Sequence, residues 1–172
     1  LVDAGAVRCQ GTATRVPAGA PRHAIHGRTR DTGGMTDGTE QVITADFDVS
    51  QWEPTPYQVE GTNSELSTVR AVKIFEGDIV GTSVADLIMA GNDVGAGYVC
   101  SEVFAGSVAG RSGTMVIQHW GVAEGTATAS SGHIIPGSGT DGLAGIAGKA
   151  IFTQTPDGQH RLELRVTLPE ES

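Results

Sequence analysis

The sequence predicts an all-β fold, a single small antiparallel barrel of about eight strands. Three observations carry the prediction. Between Gln41 and Leu168 short runs of β-branched and aliphatic residues alternate with polar ones at a period of two. Glycine recurs singly between those runs, 25 in 172 residues, where turns and bulges need a residue that enters left-handed backbone without steric cost. No stretch holds a 3.6-residue period long enough for a convincing crossover helix, and about eight sequential strands hide both exposed edges only by closing on themselves.

The elements follow in order. In the first strand Ile43, Ala45, Phe47 and Val49 alternate with Val42, Thr44, Asp46 and Asp48, and Pro54 and Pro56 are expected to end it. The next candidates are Leu66–Glu76, Ile79–Ala90, Ala96–Ala105, Thr114–Trp120, Thr126–Ile135, Gly145–Gln154 and Gln159–Leu168; Val84–Ala90 is ambiguous between strand and helix. In the last strand Leu162, Leu164, Val166 and Leu168 share one face while Arg161, Glu163, Arg165 and Thr167 share the other, giving a dry side and a wet side. Thr155-Pro156-Asp157-Gly158 fits a type I turn with Gly158 in a left-handed bulge. An eight-stranded barrel has an interior that side chains just fill, or that holds one small ligand.

Composition narrows the function. The formal net charge is −9 and the pI about 4.8, which argues against nucleic acid or an anionic membrane as partner, since both demand clustered Lys and Arg. No window approaches the ~18 apolar residues of a membrane helix, so a soluble protein is expected. Cys9 and Cys100 lie in stretches of different character; a structural disulfide is not expected, and a reducing, cytoplasmic compartment is the simpler reading.

Residues 1–34 differ from the rest. They hold Arg8, Arg15, Arg22, Arg28 and Arg30 against Asp3 and Asp31, leaving six basic and eighteen acidic side chains in the other 138 residues. They show no apolar periodicity, so they are expected to be a disordered or non-native upstream extension. The working protein is expected to begin at Met35, with the barrel domain at 35–172.

A register follows if Ala109-Gly110 makes the tight turn between the fourth and fifth strands. It pairs Phe104 with Met115, Glu102 with Ile117 and Cys100 with His119. Tyr98, Cys100, Glu102, Phe104, Met115, Ile117 and His119 then share a face that is bulkier and more apolar than the opposite one, and is placed inside. A one-residue slip would reverse everything. Glu102 and His119 facing each other in an apolar interior are a workable general acid–base pair, and equally a structural buried hydrogen bond. Tyr98 is read either as orienting a ligand carbonyl or as capping the barrel end; Trp52 as lining a ligand site or plugging one end. Arg111 either clamps a ligand carboxylate or serves the turn beside it. Cys100, Phe104, Met115 and Ile117 complete the candidate ligand-binding lining. His119, His133, His160 and Cys100 show no metal-ligand spacing, so neither a metal nor another cofactor is expected. Pro136-Gly137-Ser138-Gly139-Thr140 leads into a strand pattern, which makes it a strand connection and not a phosphate loop.

Several motifs recur together in this order: Val49-Ser50-Gln51-Trp52-Glu53 with Pro54 and Tyr57; Phe75-Glu76-Gly77-Asp78 with Gly81; Tyr98 with Glu102 and Gly106; Gly110-Arg111-Ser112-Gly113; Gln118-His119; and Pro136-Gly137-Ser138-Gly139-Thr140 with Leu143-Ala144-Gly145 and Gly148. In these the chain resembles a bacterial family known as domain of unknown function 3224, similar in fold to allene oxide cyclase and more distantly to dirigent proteins. The resemblance implies an allene-oxide-cyclase-like barrel and carries no reaction with it. It departs from the family at Met115, where Phe is usual, a change that bears on interior shape.

Three functions remain open. One is a cyclase or isomerase acting on an apolar substrate in the barrel with one acid–base pair; another is a non-catalytic carrier or sensor of an apolar ligand. The third is a ligand-free oligomeric scaffold. A homo-oligomer, dimer or trimer, is expected.

Overall fold

A computed structural model describes residues 39–168. The expectations for residues 1–34, for a start at Met35 and for Cys9 fall outside the described residues. Eight strands follow one another: β1 Gln41–Tyr57, β2 Glu65–Gly77, β3 Ile79–Gly91, β4 Gly95–Val108, β5 Arg111–Glu124, β6 Ala127–Ile134, β7 Ala147–Gln154 and β8 His160–Thr167, with one 3-10 turn at Asp141–Leu143. They close in sequence order, β8 returning to β1, so the predicted antiparallel barrel is the fold. Val84–Ala90 lies within β3 and is strand.

Pro54 and Pro56 do not end β1, contrary to the sequence expectation. Both sit in the strand, opposite Val69 and Ser67 of β2. The reason is positional: β1 pairs with β8 only as far as Phe47, and beyond it has a neighbour on one side. Proline is tolerated on such an edge, where its missing N–H is not needed for the ladder. Just before, the register shifts between Val49 and Gln51, so a bulge bends the strand where it leaves β8.

This asymmetry shapes the barrel. β6 and β7 pair only at Gly132 with Ala150 and His133 with Lys149, so Ala127–Ser131 of β6, like Asp48–Tyr57 of β1, borders a single strand. One end of the barrel is therefore closed by eight strands, and the other continues as a curved sheet of β1–β6 whose rim is low at the β7–β8 turn. That turn matches the sequence reading: Gly158 has φ +91° and its N–H donates to the Thr155 carbonyl at 2.9 Å.

The glycine-rich connection stands in for a strand beside the start of β5. Thr140 N–H donates to the Thr114 carbonyl at 3.0 Å, Thr114 N–H donates to Thr140 Oγ1 at 3.0 Å, and Val116 N–H donates to Ser138 Oγ at 3.1 Å. Leu143 and Ile146 then enter the core. The loop satisfies a sheet edge, as a strand connection would.

The β4–β5 turn takes positive φ at both central residues, +49° at Ala109 and +80° at Gly110. Such a turn follows the twist of the strands it joins but suits Asn or Gly at its first position, and alanine is strained there. Ala109→Asn should stabilise the barrel by roughly 1 kcal/mol. Urea unfolding would show it as a higher midpoint with an unchanged slope; no gain would mean that asparagine relieves no strain at this position, whose backbone N–H donates to the Asp78 carbonyl at 2.9 Å with either side chain.

The interior holds two apolar clusters. At the closed end Phe47, Phe75, Ile79, Phe104, Met115, Ile117, Leu143, Leu162 and Leu164 pack together with others. Towards the open end Val69, Ala71, Ala85, Leu87 and Cys100 form a smaller group, against which Trp52, Met89 and Tyr98 pack half-buried. Between the two lies a belt of buried polar side chains.

Candidate functional site

The belt is built by strand alternation. On β2, Lys73 falls between Ala71 of the upper cluster and Phe75 of the lower; on β4, Glu102 falls between Cys100 and Phe104. The β4–β5 register pairs Cys100 with His119, Glu102 with Ile117 and Phe104 with Met115, as the sequence implied, and this face points inward. Lys73, Ser83, Glu102 and His119 are all buried, Glu102 completely.

Glu102 is the hub. Its Oε2 accepts from Lys73 Nζ at 2.6 Å and lies 3.0 Å from His119 Nε2, while Oε1 accepts from Ser83 Oγ at 2.6 Å. Burial pushes the carboxyl pKa up, but the Lys73 charge and hydrogen bonds from His119, Lys73 and Ser83 outweigh it and hold it at about 2. The group is an ionised carboxylate at neutral pH and only accepts. His119 Nε2 therefore carries the proton it shares with Glu102. Burial lowers the His119 pKa, the Glu102 hydrogen bond opposes this, and the Lys73 charge lowers it further, with a net downward shift. The neutral ring leaves Nδ1 as an acceptor, and Tyr98 Oη, 3.2 Å away, donates to it. A hydrogen-bonded chain thus runs from Tyr98 through His119 to Glu102, with the Lys73 ammonium balancing its charge.

Aromatic rings hold this chain in place. Phe152 stacks on the imidazole with centroids 4.0 Å apart, Tyr98 meets it edge-on at 5.4 Å, and Lys73 Nζ lies 4.4 Å from the Phe152 centroid and 5.0 Å from that of Phe47. Two glycines make room. A Cβ on Gly121 would stand 2.5 Å from the Tyr98 ring, and one on Gly132 would stand 2.5 Å from His119 Cβ and 2.8 Å from the Gln118 carbonyl oxygen. Because β5 backbone blocks Gly132, Gly132→Ala should cost about 2 kcal/mol or more and displace His119. A urea midpoint and the His119 ring resonances test this; wild-type values in both would refute the spacer role.

The sequence-predicted residues separate by position. Tyr98, Cys100, Glu102 and His119 are brought together, and Trp52 packs half-buried on the adjoining upper cluster. Phe104, Met115 and Ile117 lie below, with at most 1% exposure, as packing of the closed end. Arg111 stands opposite Val108 at the β4–β5 turn, eight residues from His119 and so about 26 Å along the strand; it does not join the cluster. Lys73, Ser83 and Phe152 were not anticipated. The signal for Lys73 was present: a lysine in the odd-numbered row Val69, Ala71, Lys73, Phe75, otherwise apolar, is a charge on a core face.

Although the sequence shows no ligand spacing, the fold assembles three metal-ligating side chains. Donor atoms of Cys100, Glu102 and His119 lie within 4.8 Å of one another. Their chemistry does not fit a resident cation: the Lys73 ammonium already occupies the cation position at Glu102, His119 presents an N–H there, and burial and the Glu102 charge push the Cys100 thiol up to about 12.

The family model described as protein of unknown function, DUF3224, matches residues 43–166. The chain belongs to this family. A solved structure of a DUF3224 protein of unknown function from Shewanella oneidensis MR-1 is similar to it, with a TM-score of 0.68 and 26% sequence identity, covering 77% of this chain and all of that one. No curated protein matches the chain. Among the described residues no helix is long and apolar enough to cross a membrane.

Proposed function

We propose that this DUF3224 barrel binds an apolar, carbonyl-bearing small molecule at its open end and shifts a proton on it, as an isomerase or cyclase would. The observation that carries the reading is His119 held between an ionised Glu102 and the Tyr98 hydroxyl, beside half-buried Trp52, Met89, Tyr98 and Phe152. Apolar rings next to a few convergent polar groups are the usual composition of a ligand site.

The chemistry follows from the tautomer. With Tyr98 turned to a ligand carbonyl, His119 Nδ1 is free to take a proton from the adjacent carbon; the imidazolium so formed is stabilised by Glu102, and the enolate oxygen by the Tyr98 hydroxyl. Returning the proton to another carbon completes an isomerisation. Proton transfer by a placed base contributes typically 10²–10⁴-fold.

Two measurements test this on the full chain. Emission of the neutral probe N-phenyl-1-naphthylamine, compared between wild type and Trp52→Phe, reports binding at the open end, and hydrogen–deuterium exchange at the α-carbon of α-tetralone reports proton transfer. His119→Gln should reduce catalysed exchange by at least tenfold and Tyr98→Phe by a similar factor, with probe affinity within about tenfold of wild type. Exchange no faster than in an imidazole control would remove the catalytic reading and leave a carrier; failure to bind the probe as well would remove both.

A further inference from the structure

The outward faces of the barrel divide sharply by charge. On β8 and β1 they carry Arg161, Glu163, Arg165, Asp46 and Asp48, with Arg161 Nε 2.7 Å from Asp46 Oδ1 and Arg165 Nε 2.7 Å from Glu163 Oε1. On β3, β4 and β5 the outward positions include neither lysine nor arginine; Arg111, at the turn end of β5, falls in the row of Met115, Ile117 and His119. Asp86 is the one acid within the face and Glu124 stands at its end. Asp86 is itself matched by Arg70, 3.9 Å away.

That charge-poor face is mostly apolar. Ile88 lies opposite Val99, and Val99 opposite Trp120, in one row across the three strands; the row four residues along contains Val84, Val103 and Val116, and between the two runs one polar row of Asp86, Ser101 and Gln118. Ile88, Val99, Val103, Trp120 and Val122 are 54, 55, 52, 44 and 55% exposed, together on the order of 400 Å² of apolar side chain, the size of the largest patches on monomers, which are often functional. Beside it a hollow of about 440 Å³ is lined by Trp120, Gln118, Ser131 and His133.

We infer that this face is covered by the same face of a second copy, giving a two-fold dimer. Charge selects the occupant. A chain of net charge −9 repels itself wherever acids are displayed, and copies can approach through a face from which charge is missing. A basic partner or an anionic membrane finds no complement here. The face is also self-complementary: a two-fold axis through the Ile88–Val99–Trp120 row lays one row on the other at the ~10 Å spacing of packed sheets, with Trp120 beside the partner's hollow. Depletion of charge and presence of an aromatic anchor mark interface cores, and isologous pairing is the commonest closed assembly.

Sedimentation equilibrium of the full chain from 1 to 100 µM is the test. Wild type should tend to twice the 17.7 kDa chain mass. Val99→Asp with Val103→Asp should weaken the dimer at least tenfold; Val99→Thr with Val103→Thr, which keeps β-branched strands, should weaken it less, at unchanged far-UV circular dichroism. A monomeric wild type overturns the inference, whether or not it binds vesicles or another protein. A dimer that both double variants leave intact overturns it as well. Ligand binding plays no part in the readout, so the two proposals fail separately.

Discussion

Lys73→Met should destabilise the barrel by about 3–5 kcal/mol, the usual cost of removing one partner from a buried ion pair. Glu102, with no exposure, would lose the 2.6 Å contact with Lys73 Nζ and keep only Ser83 and His119. Its carboxylate would then have to take up a proton or draw water into the core. The partner change Glu102→Gln leaves the ammonium uncompensated and should cost a similar amount. The double variant Lys73→Met with Glu102→Gln should recover most of the loss, because both charges have gone and Gln keeps both contacts, its amide oxygen accepting from His119 and its NH2 donating to the Ser83 hydroxyl. Urea unfolding of the four proteins gives a coupling of at least 2 kcal/mol on this account. Additive losses would show that Lys73 is held mainly by the Phe47 and Phe152 rings.

That coupling explains why the site was half legible in the sequence. Cys100, Glu102 and His119 could be placed together because one tight turn, Ala109-Gly110, sets the β4–β5 register, and a hairpin register is local information. Lys73 reaches Glu102 across two strand boundaries, and no local rule joins residues 29 positions apart. Phe152 comes from β7, which meets the rest of the sheet through two residue pairs on its β6 side. Pro54 and Pro56 misled for a related reason. They mark an edge, and whether β1 has a second neighbour at that point depends on the length of β8, at the other end of the chain.

The same geometry limits what the interior can do. The closed end is packed with Phe75, Phe104, Met115 and Ile117, and among the described residues no buried side-chain nitrogen or oxygen lacks a partner. In the proposed function a ligand approaches from the open end, where Tyr98 and Phe152 pack against His119. Tyr98 is the polar group of the chain at that boundary: its hydroxyl is bonded to His119 at rest, and burial raises its pKa, with the neighbouring Cys100 and the Glu102 charge adding to the rise. It acts as a neutral hydrogen-bond donor, not as a phenolate.

Acidification should weaken the fold in two stages. In the unfolded chain the His119 imidazole titrates near 6.5 and the Glu102 carboxyl near 4.5; in the barrel both are shifted down. A group with a depressed folded pKa stabilises fully above its unfolded pKa, and the contribution is lost as pH falls through the folded value. For His119 the loss begins below about pH 6.5. For Glu102 it begins below 4.5 and is complete near pH 2, amounting to about 3 kcal/mol over that interval. Asp46, held down by its hydrogen bond and charge pairing with Arg161, titrates in the same acid range, so the wild-type curve alone does not isolate the buried pair. Variants do. Urea stability measured from pH 8 to pH 3 should lose part of its upper slope in His119→Gln, the rest belonging to half-buried His160, whose pKa burial also lowers, and should lose much of its lower slope in Glu102→Gln, although that variant starts from a lower plateau. An unchanged lower slope in Glu102→Gln would mean that the surface carboxylates, and not the buried hub, set the acid limit of this barrel.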